Sequence, residues 1–365
     1  MTTLTIKTNA LDNNIRIIKR LANGAKVIAV LKGNAYGLGL TKFASFLQSK
    51  GIDNYGVTEL SDAVTLRRNG ITGNILLMTP LYNSEDITTA IDHDITLSIT
   101  STDCAHVIDE TAAYMNHPTV HAHLCIDTGF GRYGFLCSEE KQIADTVQSL
   151  RHVRITGIFS HFHAAACRNE YYVKNQFQDF THLCDTLQKD GIPVGIRHIS
   201  SSTSMIKYPS MNLDAIRIGS AFLGRLAVPN DYGFHEVCNL SACVDDIYEL
   251  PAGHNIGYGH SFKLSHDAKT AVISAGYYHG LGMERHTDFR TNFFSPIRIY
   301  YKLKGTFHKK SPTASFKDCR LPVLGQISMN SVIVDTTGCN ISVGDMVTFP
   351  INPIFVNSAV PRVYM

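Results

Sequence analysis

Eight short apolar segments, most separated by stretches of helical period, run from Lys26 to Arg217, and this alternation constrains the fold more than any other feature of the chain. The segments are Lys26–Leu31, Asn54–Thr58, Asn74–Met78, Ile95–Ile99, Val120–Ile126, Arg154–Ser160, Arg197–Ser200 and Leu213–Arg217. Leu11, Ile15 and Ile18, ahead of the first segment, fall on one helical face, as do Phe43, Phe46 and Leu47 between the first two. Ser61–Arg68, Ser84–Ile91, Glu139–Leu150 and Val173–Gln188 show the same period. Strands alternating with helices predict parallel βα units, and eight such units are the count of a closed (β/α)8 TIM-type barrel. A doubly wound open sheet is the alternative, since periodicity does not distinguish closure from an open edge.

After Val228 the pattern changes. Cys238–Leu250, Ala271–Ala275, Ile297–Leu303 and Ser331–Asp335 read as strands separated by Gly, Pro and Asn turns, with no convincing amphipathic helix among them. The fold class is therefore α/β with a C-terminal all-β domain: residues 1–230 form the barrel and 231–365 the β domain. The junction is placed at the turn-rich Pro229-Asn-Asp231. At 365 residues and 44% apolar, the chain buries two cores of ordinary size.

Charge excludes several classes of partner. Lys and Arg number 33 against 31 Asp and Glu, a net charge of +2, so neither nucleic acid nor an acidic membrane is expected. No apolar run approaches the roughly 20 residues of a spanning helix. The segment Met1-Thr-Thr-Leu-Thr-Ile-Lys7 has no charged region followed by an apolar one, so a cytoplasmic protein is expected. Nine cysteines, an odd number without a CxxC pair, predict reduced thiols acting as small buried hydrophobes.

In a parallel barrel, chemistry gathers at the C-terminal ends of the strands. Lys32 follows the apolar run Val27–Leu31. A lysine at the end of a buried strand is costly to keep charged, and Schiff-base formation with a carbonyl cofactor removes the charge. The plain alternative is a lysine emerging into solvent where the strand stops. Ser200-Ser-Ser-Thr-Ser204 and Ile218-Gly-Ser220 follow the seventh and eighth strands, where barrels commonly bind phosphate. With Lys32 they suit a phosphate-bearing carbonyl cofactor, pyridoxal 5′-phosphate, with Arg217 beneath its ring. Asp127 and Arg132 are near enough in sequence to pair, and Arg132 would otherwise hold a substrate carboxylate. His161 and His163 share a side of their strand end but have no clear third ligand, so no metal is expected. Neither a Walker A pattern nor GxGxxG after a strand is present.

These residues resemble the alanine racemase family. Val30-Leu-Lys-Gly-Asn-Ala-Tyr-Gly-Leu-Gly39 resembles its cofactor-attachment segment. The match continues through Asp127-Thr-Gly-Phe-Gly-Arg-Tyr-Gly134, Ser160-His-Phe162, His198 with the following serines, and Arg217-Ile-Gly219. It extends to Gly257-Tyr-Gly259, Gly276-Tyr277, Gly325-Gln-Ile-Ser-Met329, Val343-Gly-Asp345 and Val360-Pro-Arg-Val363. The resemblance implies a homodimer with shared active sites and a small amino acid, alanine or serine, as substrate. It implies that Lys32 binds the cofactor and acts as base on one face of Cα, with Tyr258 from the partner subunit on the other. Tyr36, Ser202, Gly219 and Ser220 would hold the phosphate, with His161 beside the ring and Arg217 facing its nitrogen. Arg132, and Tyr277 and Met329 from the second copy, would border the substrate.

Some positions depart from the family pattern. Cys125 stands where the family often has a lysine, sometimes carbamylated, that positions the arginine at Arg132. Leu38 replaces a histidine, Ser201 an asparagine and Asn330 an aspartate, and the usual tyrosine just before Val360 is absent. Two other readings follow the same residues. One is an amino-acid decarboxylase, for which Cys319 or Cys339 would be the candidate β-domain cysteine. The other is a cofactor-binding protein without turnover.

Overall fold

The computed structural model describes residues 1–117, 119–283 and 312–365, and they form two compact units. Thr8–Val237 is one unit; Met1–Lys7 together with Cys238–Met365 is the other. The first strand, β1 (Thr3–Ile6), therefore belongs with the C-terminal half.

Nine strands build the sheet of the larger unit: β2 (Lys26–Val30), β3 (Asn54–Val57), β4 (Asn74–Leu77), β5 (Leu97–Ile99), β6 (Val120–Asp127), β7 (Phe135–Leu136), β8 (Val153–Phe159), β9 (Ile196–Ser201) and β10 (Ala215–Ile218). Their order is β4-β3-β2-β10-β9-β8-β6-β5, all parallel, with the short β7 beside β6. The ring closes between the two ends: the Leu77 N–H donates to the Thr96 carbonyl and the Thr96 N–H to Ile75, each at 2.9 Å. This closure selects the barrel over the open sheet. The strands are apolar along both faces because helices cover the outside and side chains fill the inside. In β2, Ile28, Ala29 and Val30 are all buried. Side chains the size of Ile28 and Val30 each contribute about 1.5–3 kcal/mol on burial.

The helix Thr8–Ala22 buries Leu11, Ile15 and Ile18 as its period requires, and it adds one buried polar residue, Asn14. The Asn14 amide donates to the carbonyls of Phe222 and His235, and its oxygen accepts the His235 N–H. It thereby ties the end of the barrel unit to its first helix. A helix at Thr102–Tyr114, which the periodicity does not pick out, is started by Ser101, whose hydroxyl accepts the Cys104 N–H.

The smaller unit contains β11 (Cys238–Leu250), β12 (Ala268–Ile273), β13 (Thr313–Phe316), β14 (Cys319–Leu324), β15 (Val332–Asp335), β16 (Met346–Pro350) and β17 (Arg362–Tyr364). With β1 they run in the order β12-β15-β14-β13-β16-β11-β1-β17, and β11 also pairs with β12, so six of the strands close on themselves. The expected strand Ile297–Leu303 lies outside the described residues.

Two expectations need correction here. The division falls between Val237 and Cys238 rather than at 230/231, and residues 1–7 join the β unit. The cause is pairing that no local pattern announces: β1 lies antiparallel to β11 and parallel to β17. Nor are all nine cysteines reduced, since Cys319 and Cys339 form a disulfide within the β unit. A separation of 20 residues hides that pair from spacing arguments.

Candidate active site

Because the barrel strands are parallel, their C-terminal ends open on one face, and a cavity of about 530 Å³ lies there. Lys32 and Tyr36 line it from the end of β2, Asp127, Phe130 and Arg132 from β6, and His161 from β8. Ser202 follows β9, and Arg217, Gly219 and Ser220 come from β10. All eight barrel residues expected at the site thus surround one cavity.

Lys32 does not meet the burial its position predicts. β2 ends at Val30, and the following turn lifts Lys32 into the cavity mouth, where it is exposed. That turn is left-handed. Gly33, Asn34, Ala35 and Tyr36 have φ of 62°, 54°, 54° and 53°. For a non-glycine residue this conformation costs roughly 1–2 kcal/mol, and three such residues in a row persist only where the surroundings hold them. Here the Ala35 N–H donates to Leu31, Gly39 N–H to Asn34, and the Asn34 side-chain oxygen accepts the Leu40 N–H that opens the next helix. The turn delivers Tyr36 against Gly219, where an added Cβ would lie 2.5 Å from the ring.

The serine run divides its work. The Ser200 hydroxyl donates to Met211, and Ser204 accepts the Ser201 N–H, so both are structural. The Ser202 hydroxyl accepts the N–H groups of Gly219 and Ala221, each at 3.2 Å, which joins the β9 and β10 loops.

Arg217 is buried, donating to the carbonyls of His198 and Ser160 and to Nδ1 of both His198 (2.7 Å) and His161 (3.2 Å). Burial lowers its pKa to about 10, so it stays charged near neutrality. Burial, with Arg217 close by, holds His161 down at about 3 and His198 well below the ordinary range, so both are neutral. Asp127 does not pair with Arg132. Its carboxylate instead accepts the N–H groups of Gly129, Phe130 and Gly131 at 2.7–2.9 Å, which outweighs its partial burial and lowers its pKa. A four-residue turn closes around that carboxylate more readily than an arginine side chain folds back onto it.

The cavity therefore holds Lys32, Arg132 and Arg217 against a carboxylate already committed to amides and the exposed Glu59. It suits an anionic ligand with a carbonyl carbon within reach of an amine. The residues fit pyridoxal 5′-phosphate on this ground, and on the cradle that Gly219 leaves beside Tyr36.

Pattern reading missed His123, which meets His198 inside the barrel, and Gln176. The Gln176 amide joins Thr128 to the His161 carbonyl, and its oxygen accepts the His163 N–H. The polar interruption of an apolar strand at His123 was the available signal. His163 turns away to meet Tyr172 at the surface. Among the described residues no three His, Cys, Asp or Glu side chains gather as a metal site, and no helix is long and apolar enough to cross a membrane.

In the β unit, Tyr258, Tyr277 and Met329 are all exposed and lie on connected loops. Gly257 approaches Gln326, and the Tyr277 and Tyr278 N–H groups donate to Ser328 and Met329. Cys319 and Cys339 are bonded to each other, so neither is the free thiol a decarboxylase reading would need.

The alanine racemase N-terminal domain model matches residues 6–226 and the C-terminal domain model residues 237–353. An alanine racemase of Methanococcus maripaludis is 29% identical over 353 residues, spanning 94% of this chain and 87% of that protein. Alanine racemase 1 of Caldanaerobacter subterraneus is 28% identical, spanning 93% and 82%. The structure of alanine racemase from Clostridium difficile 630 superposes with a TM-score of 0.84 at 25% identity, covering 100% of this chain and 95% of that one. That from E. faecalis, at 22% identity and a TM-score of 0.83, shares the fold. With both domain models matched in order along the chain, the protein belongs to the alanine racemase family, a family of pyridoxal 5′-phosphate-dependent isomerases.

Proposed function

We propose that this protein is an alanine racemase, interconverting L- and D-alanine and accepting serine as a second substrate. The observation that carries the reading is the placement of Lys32, Arg132 and Arg217 around one cavity at the strand ends. Bound there, pyridoxal 5′-phosphate supplies a conjugated ring over which the negative charge left at Cα is delocalised.

Ser202, Gly219, Ser220 and Tyr36 would hold its phosphate, and His161 would flank the ring. Arg217 would face the ring nitrogen as a charged, donor-only group, which leaves that nitrogen without a proton and limits side reactions. Arg132 receives the substrate carboxylate.

Inversion of a stereocentre by proton exchange needs an acid and a base on opposite sides of a planar carbon. Lys32 Nζ serves one side, and the Tyr258 hydroxyl of a second copy serves the other. Tyr277 and Met329 of that copy border the pocket, so the working unit is a homodimer. His161 does not replace Tyr258, because with a pKa near 3 it is a weak proton acceptor at neutral pH.

The test is incubation of the purified protein with L-alanine in heavy water. Deuterium at Cα together with the D-isomer is expected. Absence of both across a panel of small amino acids would overturn the reading, and carbon dioxide release would favour decarboxylation.

A further inference from the structure

Among the described residues Arg132 has no acidic partner: no carboxylate lies within ion-pair distance of it. Asp127 is committed to three backbone amides. Cys125, at the position where a carbamylated lysine would supply an anion, is a buried thiol donating to the Tyr133 carbonyl, and burial pushes it up to about 12, so it is uncharged. The guanidinium carbon instead lies 4.5 Å from the centroid of the Phe130 ring and 5.8 Å from that of Tyr133. Phe130 is itself held twice. Its N–H is fixed by Asp127, and its ring meets His161 edge-on at 5.3 Å, while His161 accepts from Arg217. Arg132, Phe130, His161 and Arg217 are thus linked by one continuous run of contacts: cation over ring face, ring edge to ring, and hydrogen bond.

We propose that Phe130 is the positioning residue for Arg132: its ring face, in place of an anion, sets the plane of the guanidinium that receives the substrate carboxylate. The proposal rests on the racemase reading for its substrate, and on geometry alone for the contact of Arg132 with the Phe130 face. An acidic partner takes up N–H donors, whereas a ring face attracts the cation through its quadrupole and leaves all five donors at the guanidinium edge for a ligand. Phe130 therefore replaces the missing anion without competing with the carboxylate, and any weakening of the ring's negative face should loosen Arg132.

Two measurements test this on the full-length protein. The first is NMR of arginine-labelled protein with no amino acid added, with Arg132 assigned through Arg132→Lys. Arg132 side-chain signals should be shifted upfield by the ring and lose that shift in Phe130→Leu. The second replaces Phe130 by mono- and trifluorinated phenylalanine, which keep the ring's shape while draining its face. KM for alanine should rise stepwise, reaching about two- to fivefold for the trifluoro ring, with a smaller change in kcat. Phe130→Trp should retain the wild-type KM. Unshifted Arg132 signals, or a flat fluorinated series in an enzyme that racemises alanine, would overturn the proposal. If the wild type racemises no small amino acid, the functional reading fails and the NMR result alone decides the Arg132–Phe130 contact.

Discussion

Arg217 donates to Nδ1 of His198 at 2.7 Å, and because a guanidinium has no lone pair to offer, this contact decides where His198 keeps its proton. With Nδ1 accepting, the hydrogen sits on Nε2, which donates to Nδ1 of His123 at 3.0 Å. Phe159 stacks on His198 at 5.2 Å and 14°, and Arg217 lies over Phe159. The cation is therefore fixed by a chain of neutral, buried rings.

This arrangement makes the fold sensitive to acid. Folded His123 and His161 titrate near 3 and His198 well below 6.5, because burial and Arg217 disfavour their charged forms. The unfolded chain takes up protons at these histidines near 6.5, so it binds more protons than the native state below that pH. Stability present above about pH 6.5 is lost as pH falls toward 3, at up to about 1.4 kcal/mol per pH unit for each histidine. Urea midpoints at pH 7.0, 6.0 and 5.0 should fall accordingly. His123→Leu should make the decline shallower, at a cost of about 1–3 kcal/mol for the Nε2–H of His198 left without an acceptor.

Lys32→Ala is expected to fold normally, since the side chain is exposed at the cavity mouth. Protein loaded with the cofactor should lack the visible absorbance of a lysine-bound carbonyl. Deuterium exchange into alanine should fall by roughly 10²–10⁴-fold. A variant with wild-type exchange would remove Lys32 from the chemistry.

Gly219→Ala would place a Cβ 2.5 Å from the Tyr36 ring, and Tyr36 sits on a left-handed turn with little room to give. Overpacking of this kind costs about 1–3 kcal/mol. Displacement of Tyr36 should weaken cofactor binding by roughly tenfold, the equivalent of about 1.4 kcal/mol. A cofactor titration followed by absorbance reads the effect, and an unchanged affinity would count against Tyr36 as a phosphate ligand.

Seven thiols should react with a thiol reagent in denaturant, and nine after reduction, because only Cys319 and Cys339 are bonded. Closing a loop of this length stabilises by about 3 kcal/mol. Cys319→Ser should lower the unfolding midpoint, and nine thiols before reduction would disprove the bond.

Local pattern carried much of the architecture. All eight barrel strands appear within about two residues of their expected ends, because a parallel strand covered on both faces must be a short continuous apolar run. The same run ending at Lys32, and the small residues after the last two strands, marked the end of the barrel where the cavity lies. The helix at Thr102–Tyr114 escaped because its buried face, Cys104, Ala105, Ile108 and Ala112, is too weakly apolar to stand out.

What the sequence by itself determined is the set of elements and the polar side chains at their ends that line the cavity, since both follow from short-range spacing and residue chemistry. Only the tertiary structure decided that β1 joins the C-terminal unit, that Cys319 finds Cys339, that Asp127 turns to amides rather than to Arg132, and that Arg132 rests on Phe130. The β1 and cysteine pairings join residues distant in the chain, and the Asp127 and Arg132 contacts depend on how one loop folds. Each contact exists only once packing has set the geometry in which one partner outcompetes another.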